Sequence, residues 1–304
     1  MCIRQPEEIE KSCETSPVST SIMCSKNSKI EEKISKSTSS LQHSSHGQQR
    51  QLLVLDFDLT IVDGNTDVEL QDLVAEVPDH LQQLYNEKTC SRTVYMQALF
   101  DVLREQGVTV TAIRSWLCRL PFADGMVELL DAAGFDLHTD VLVVADSNAL
   151  FVDWLLEHNG CRTAVDEVLS NAAYVDQATQ SIRVQPFHTE HQCHCVANLC
   201  KGRAVHDFMK QRRSTHGTRY SRVVYVADGR TDLCAALRLS KTDLMCVRRG
   251  YQLDSILQSH QKSLPIRCNI RPYNDAHELL GDQDLKLVDD YTAGKQVTVA
   301  SYVR

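Results

Sequence analysis

Leu52 to Leu55 is a short apolar run, polar on both sides, that closes in Asp56-Phe57-Asp58. A run of that length predicts a buried parallel strand delivering carboxylates from its C-terminal end. From Val68 to about Leu120 the spacing changes. Leu70, Leu73, Val74, Val77, Leu81 and Leu84, then Tyr95, Leu99, Val102 and Leu103, recur at helical intervals, so an almost all-helical insert follows the first strand. A helix from about Asp124 to Ala133 comes next, and a second strand, Val141 to Val144, leads to Asp146. A third strand, Arg222 to Val226, ends at Asp228. Strands that alternate with helices and carry acids at their C-terminal ends predict an open α/β sheet whose ligand sits beyond those ends. The residues after Tyr273 are weakly patterned and are expected to be peripheral. No internal repeat of useful period is visible.

Composition changes this picture at the N-terminus. Residues 1–48 hold twelve serines and no Phe, Trp or Tyr, too little apolar surface to offset the entropy of ordering, so a disordered tail is expected there. The 304 residues carry 32 Lys and Arg against 40 Asp and Glu, a net charge of -8, and no basic stretch long enough to follow a phosphate backbone. Nucleic-acid binding is not expected. The apolar runs are far shorter than the ~20 residues that span a bilayer, and the first thirty residues are polar, so neither a membrane anchor nor a signal peptide is read. The 12 cysteines are scattered from Cys2 to Cys268, which suits reduced thiols and a cytoplasmic location.

Asp56-Phe57-Asp58-Leu59-Thr60 sets two carboxylates at i and i+2 behind a buried strand. An Asp pair at a strand end is also ordinary turn chemistry, and its company decides the reading. Lys201 opens an apolar-periodic helix containing Val205 and Phe208, and Asp228-Gly229-Arg230-Thr231-Asp232 follows the third strand. In that order these stretches resemble motifs I, III and IV of the haloacid dehalogenase phosphatase superfamily. Within it, Asp56 to Asp67, Asp146-Ser147-Asn148, Pro186 to Thr189, Cys193 to Lys201 and Asp228 to Asp232 resemble the phosphoethanolamine/phosphocholine phosphatases and their pyridoxal-phosphate phosphatase relatives.

The resemblance implies a Rossmann-like core over residues 49–66 and 122–275, a helical cap over 67–121, and a C-terminal segment, 276–304, outside the similarity. It implies Mg²⁺-dependent hydrolysis of a small phosphorylated metabolite, with Asp56 as nucleophile and Asp58 as acid and base. Lys201 would offset phosphoryl charge. Asp56, the Asp58 carbonyl, Asp228 and Asp232 would hold the metal, all oxygen donors suited to a hard cation. Thr60, Asp67, Asp146, Ser147 and Asn148 are the candidate substrate-binding residues. Asp67 and Asp146 together would favour a cationic amine on the substrate. The alternative for Asp67 is a helix N-cap, and the rival substrate is pyridoxal 5′-phosphate.

Three positions depart from the family pattern. Ala145 stands where a Ser or Thr hydroxyl is expected, with Ser147 close by as a substitute. Ala227 replaces a Gly, and Asn171-Ala172 an Asn-Pro. A degenerate, ligand-binding member with weak turnover is the alternative these changes raise, and a phosphotransferase to a sugar is a third. His188, His191, Cys193, His194, Cys195 and Cys200 crowd one stretch, but Cys193-x-Cys195 lacks zinc-knuckle spacing, so a structural loop leading to Lys201 is expected.

Overall fold

In the computed structural model the first strand, β1 (Arg50–Leu55), lies at the middle of a seven-stranded sheet of order β4-β3-β2-β1-β5-β6-β7. The structure describes residues 50–86, 91–189, 198–260, 263–282 and 285. The expected tail and the centre of the Cys/His stretch lie outside them. β2 (Thr139–Asn148) and β5 (Tyr220–Ala227) flank β1 in parallel, with Leu53 opposite both Val141 and Val224. β3 (Glu167–Asp176), β6 (Leu244–Arg248) and β7 (Asn269–Tyr273) extend the parallel sheet, and β4 (Ser181–Gln185) returns antiparallel on β3.

β1 reads as unbroken apolar sequence because both of its faces are covered. Leu53 and Leu55 join Val141, Val143, Val224, Leu129 and Leu155 on one side. Leu52 and Val54 join Leu142, Val144, Tyr225, Val205 and Phe208 on the other. The chain leaves β1 towards β2 on one side and reaches β5 on the other, so a crevice opens where the order reverses, beyond the C-terminal ends of these strands. That is where Asp56 and Asp228 stand.

Helices Thr66–Glu69, Asp79–Asn86, Arg92–Glu105 and Val110–Leu117 follow β1, as the 3.6-residue spacing predicts. They do not make a core of their own. Leu70, Tyr95, Leu99, Phe100 and Leu117 share a cluster with Phe151 and Trp154 of helix Ala149–His158 and with Ile182 of β4. Gln97 also binds the free edge of β4, its Oε1 accepting from Val184 N at 3.1 Å and its Nε2 donating to Ile182 O at 3.3 Å. Backbone groups that would otherwise template another strand are thereby covered.

The helix expected from Asp124 begins two residues later, as Met126–Phe135, after Gly125 at φ +76°. A Cβ on Gly125 would lie 2.6 Å from His277 N, because the C-terminal segment packs there. That segment is less peripheral than its sequence suggests. Helix Ala276–Leu280 buries Ala276 and Leu279, and Leu285 is buried beside them. Two apolar anchors on so short a helix, and one beyond it, are too few to show a period. No helix among the described residues is long and apolar enough to cross a membrane.

Candidate active site

The loop after β1 is shaped by its own backbone. Ile61 N and Val62 N both donate to Phe57 O, and Leu59, at φ +58°, donates to Gly64 O at 3.0 Å. A left-handed leucine costs roughly 1–2 kcal/mol. Arg248, at the end of β6, offsets that cost by donating to Leu59 O at 2.7 Å and to Asp63 Oδ1 at 2.9 Å. The turn presents the two acids differently. Asp56 is buried against β5, its N donating to Val226 O at 3.0 Å. Asp58 is held by one residue: Oδ1 accepts from Thr66 N at 3.0 Å and Oδ2 from Thr66 Oγ1 at 3.2 Å. Thr66 Oγ1 is in turn 2.9 Å from Ser147 Oγ. Burial, then the charge of Asp67, push the Asp58 carboxyl up to about 7 against the hydrogen bonds from Thr66.

Lys201 is the first residue of helix Lys201–His216 and is almost fully buried. His188 positions it: Cys200 N donates to Nδ1 at 3.1 Å, and His188 N donates to Asn198 O at 2.9 Å. Burial and the Arg203 charge lower the His188 pKa, which keeps that nitrogen an acceptor. Gly202 lets the helix approach its neighbour, since a Cβ there would lie 2.6 Å from Cys234 O. The lysine Nζ then reaches Asp56 Oδ1 at 2.6 Å, Asp232 Oδ1 at 3.1 Å and Asp146 Oδ2 at 4.0 Å. Burial opposes its charge, but Asp232, Asp56 and Asp146 together outweigh burial and hold its pKa well above the ordinary lysine value.

Asp228 and Asp232 follow β5. Tyr225 OH donates to Asp232 Oδ1 at 2.8 Å, Gly229 N donates to Oδ2 at 3.3 Å, and Thr60 donates to Asp228 Oδ1 at 3.4 Å. Oxygens of Asp56, Asp228 and Asp232 lie within 4.8 Å of one another. Burial, then Asp232, raise Asp56 well above the usual carboxylate range and Asp228 to about 6. With Asp146 this makes four carboxylates around a single lysine, an excess of negative charge on hard oxygen donors. The set fits a divalent cation such as Mg²⁺. The Asp58 carboxylate is not in the cluster, which leaves its carbonyl as the group to consider.

The remaining predicted residues divide. Ser147 is buried beside Thr66, while Asn148 caps helix Ala149–His158, accepting from Phe151 N at 3.2 Å. Asp146 is joined to the site through Lys201. Asp67 is buried but is not an N-cap: Asn65 takes that place, accepting from Val68 N at 3.1 Å. Asp67 instead accepts from Arg92 Nε at 2.9 Å. Ala145 is buried within the first apolar cluster, and two residues on the Ser147 hydroxyl lies 2.9 Å from that of Thr66. Ala227 lies in β5 without positive φ, so it needs no glycine. Asn171 stiffens its own loop, donating to Asp146 O at 2.6 Å and Ser147 O at 2.9 Å while accepting from Phe187 N at 3.1 Å.

A parallel sheet with acids converging on one lysine beyond its strand ends, and helices inserted after the first strand, is the arrangement of the haloacid dehalogenase class. Residues 51–285 match the family model described as Putative Phosphatase, and the chain belongs to that family. It is 32% identical over 233 residues to the pyridoxal phosphate phosphatase PHOSPHO2 of Mus musculus, covering 75% of this chain and 95% of that protein. It is 32% identical over 238 residues to the phosphoethanolamine/phosphocholine phosphatase of Homo sapiens, covering 77% and 88%. In fold it is similar to a HAD-family hydrolase from Salmonella enterica serovar Typhi, with a TM-score of 0.53 at 11% identity over 86% of this chain and 81% of the other. The resemblance read from the motifs holds.

Proposed function

We propose that the protein hydrolyses small phosphomonoesters with Mg²⁺ through an aspartyl-phosphate on Asp56. The observation that carries this reading is the 2.6 Å contact of Lys201 Nζ with Asp56 Oδ1, beside the Asp56, Asp228 and Asp232 oxygens gathered within 4.8 Å. An Asp56 oxygen attacks phosphorus and the ester P–O bond breaks, while Asp58 gives its proton to the leaving oxygen. Water then attacks phosphorus, Asp58 takes the water's proton, the bond from phosphorus to Asp56 breaks, and inorganic phosphate leaves. An Asp58 pKa of about 7 supports both halves of that role. Lys201 stays cationic and stabilises the phosphoryl oxygens. Asp56, the Asp58 carbonyl, Asp228 and Asp232 hold Mg²⁺, which when bound supplies positive charge to the carboxylates and the phosphoryl group.

Residues 67–121 act as a cap over a core of 49–66 and 122–275, and limit the substrate to a metabolite. The names of the human and mouse relatives support a small ester of the phosphoethanolamine, phosphocholine or pyridoxal 5′-phosphate kind, with Asp67, Asp146 and Asn148 as the proposed head-group residues and the pairing of Asp67 with Arg92 deciding among such esters. A cytoplasmic setting suits the cysteines. The alternative is a binding protein with weak turnover; what speaks for the enzyme instead is that Ser147 keeps a hydroxyl 2.9 Å from Thr66 Oγ1, which itself bonds Asp58. The experiment is a panel of phosphomonoesters, with and without Mg²⁺, comparing wild type with Asp56→Asn. Phosphate release that needs Mg²⁺ and vanishes in the variant is expected. Release at the wild-type rate from Asp56→Asn refutes the mechanism.

A further inference from the structure

Asp67, a candidate head-group residue, is paired by a residue that the motifs do not contain. Arg92 is the first residue of helix Arg92–Glu105, and its Nε donates to Asp67 Oδ2 at 2.9 Å, with 8% of the Asp67 side chain exposed. The guanidinium lies 5.4 Å from the centre of the Tyr95 ring. Among the described residues this is the one hydrogen bond of Arg92, so its two terminal nitrogens keep their donors. Asp146, where burial and then Lys201 outweigh the charge of Arg92, has its Oδ1 buried without a hydrogen-bond partner. The Arg92–Asp67 pair therefore carries no net charge, the Asp146 carboxylate is answered by Lys201 at 4.0 Å, and what is left unpaired is donors on Arg92 and an acceptor on Asp146.

Resting on the phosphatase reading above, we infer that Arg92 is a specificity-determining residue: it occupies Asp67 and turns the site towards phosphomonoesters whose head group is neutral and carries hydroxyl or carbonyl oxygens. A quaternary ammonium gains nothing from a carboxylate already paired, meets a like charge beside it, and has no N–H to give Asp146 Oδ1. A hydroxyl can accept from the terminal nitrogens of Arg92 and donate to Asp146 Oδ1, and a carbonyl can accept from Arg92.

The test measures kcat/KM for sn-glycerol 3-phosphate and for phosphocholine with Mg²⁺ in wild type, Arg92→Met and the double variant Arg92→Met/Asp67→Asn. Wild type is expected to favour glycerol 3-phosphate. Arg92→Met should shift the ratio of the two towards phosphocholine by about tenfold or more, because it frees the Asp67 carboxylate. The double variant, which buries no unpaired charge, should lose that shift. A wild-type preference for phosphocholine, or a ratio that stays within about threefold in Arg92→Met, overturns the inference. The same two esters are titrated against Asp56→Asn protein with and without Arg92→Met, following thermal stability. Were no ester turned over by wild type, the phosphatase reading would fail. The binding order of the two esters, and its change on Arg92→Met, would still decide the role of Arg92.

Discussion

Replacing Lys201 by Met removes the one cation that, among the described residues, sits in the acidic cluster, its Nζ lying 2.6, 3.1 and 4.0 Å from Asp56, Asp232 and Asp146. Met nearly preserves the volume of the side chain, so the loss is electrostatic rather than a cavity. Breaking a buried ion pair by deleting one partner costs about 3–5 kcal/mol, because the other charge is left uncompensated. For a unit of this size each kcal/mol moves Tm by roughly 2–4 °C, so the metal-free variant should melt about 6–20 °C below wild type at pH 7. The sign of the pH dependence follows from the same picture. Without the lysine the acids bind protons more readily when folded, so the deficit should shrink as pH falls and the folded state takes up those protons. Mg²⁺ should restore part of the loss, since it neutralises the same carboxylates. The assay is thermal unfolding of both proteins from pH 5 to 8, with and without Mg²⁺. A deficit below about 1 kcal/mol at pH 7, or one that grows as pH falls, would refute the account of Lys201 as the counter-charge.

Thr66→Val keeps the backbone donor to Asp58 but removes the hydroxyl that links Asp58 to Ser147. It should lower kcat by about 10- to 10²-fold, more for esters with poor leaving groups than for aryl phosphates; an equal loss across a leaving-group series would make Thr66 merely structural. The Asp58 pKa is raised to about 7 in the folded protein, so between its unfolded value and that point the native state holds a proton the unfolded chain has lost. Stability of the metal-free protein should therefore fall as pH rises towards 7, by at most about 1.4 kcal/mol per unit from this group, and Asp58→Asn should remove that slope. Urea unfolding at several pH values checks it, and an unchanged slope contradicts it. Gly202→Ala puts a methyl 2.6 Å from Cys234 O, which should cost about 1–3 kcal/mol and lower turnover by shifting Lys201. Wild-type melting and turnover in that variant would show that the close approach has no consequence.

Asp56, Asp58, Lys201 and Asp228 were legible because each stands directly after a buried strand or at the head of a periodic helix, and burial on both faces makes such strands read as unbroken apolar runs. What stayed hidden is contact across the chain. Arg248 supports the Asp56 turn from 189 residues away, Thr66 holds Asp58 from eight residues on, and Arg92 pairs Asp67 across 25 residues. An arginine or threonine carries no sign in sequence of what it will meet. Tyr225 left one trace, a phenol within an aliphatic strand, since a buried hydroxyl needs a partner. The outer strands β3 and β4 and the five-residue β6 and β7 were not read, being half-exposed or short. Asp67 meets the same limit: the sequence offers two acids as a receptor for a cationic amine, and the 2.9 Å pairing of one of them with Arg92 is not visible in it.

The central claim is a phosphoryl group carried by Asp56. The direct measurement is rapid acid quenching during turnover of a phosphomonoester with Mg²⁺, followed by peptide mass analysis. The account predicts one added phosphoryl group on the peptide containing Asp56, sited at Asp56 by fragmentation and absent without Mg²⁺. Steady turnover with no phosphoryl group on that peptide at any quench time, or a phosphoryl group sited on another residue, would contradict it.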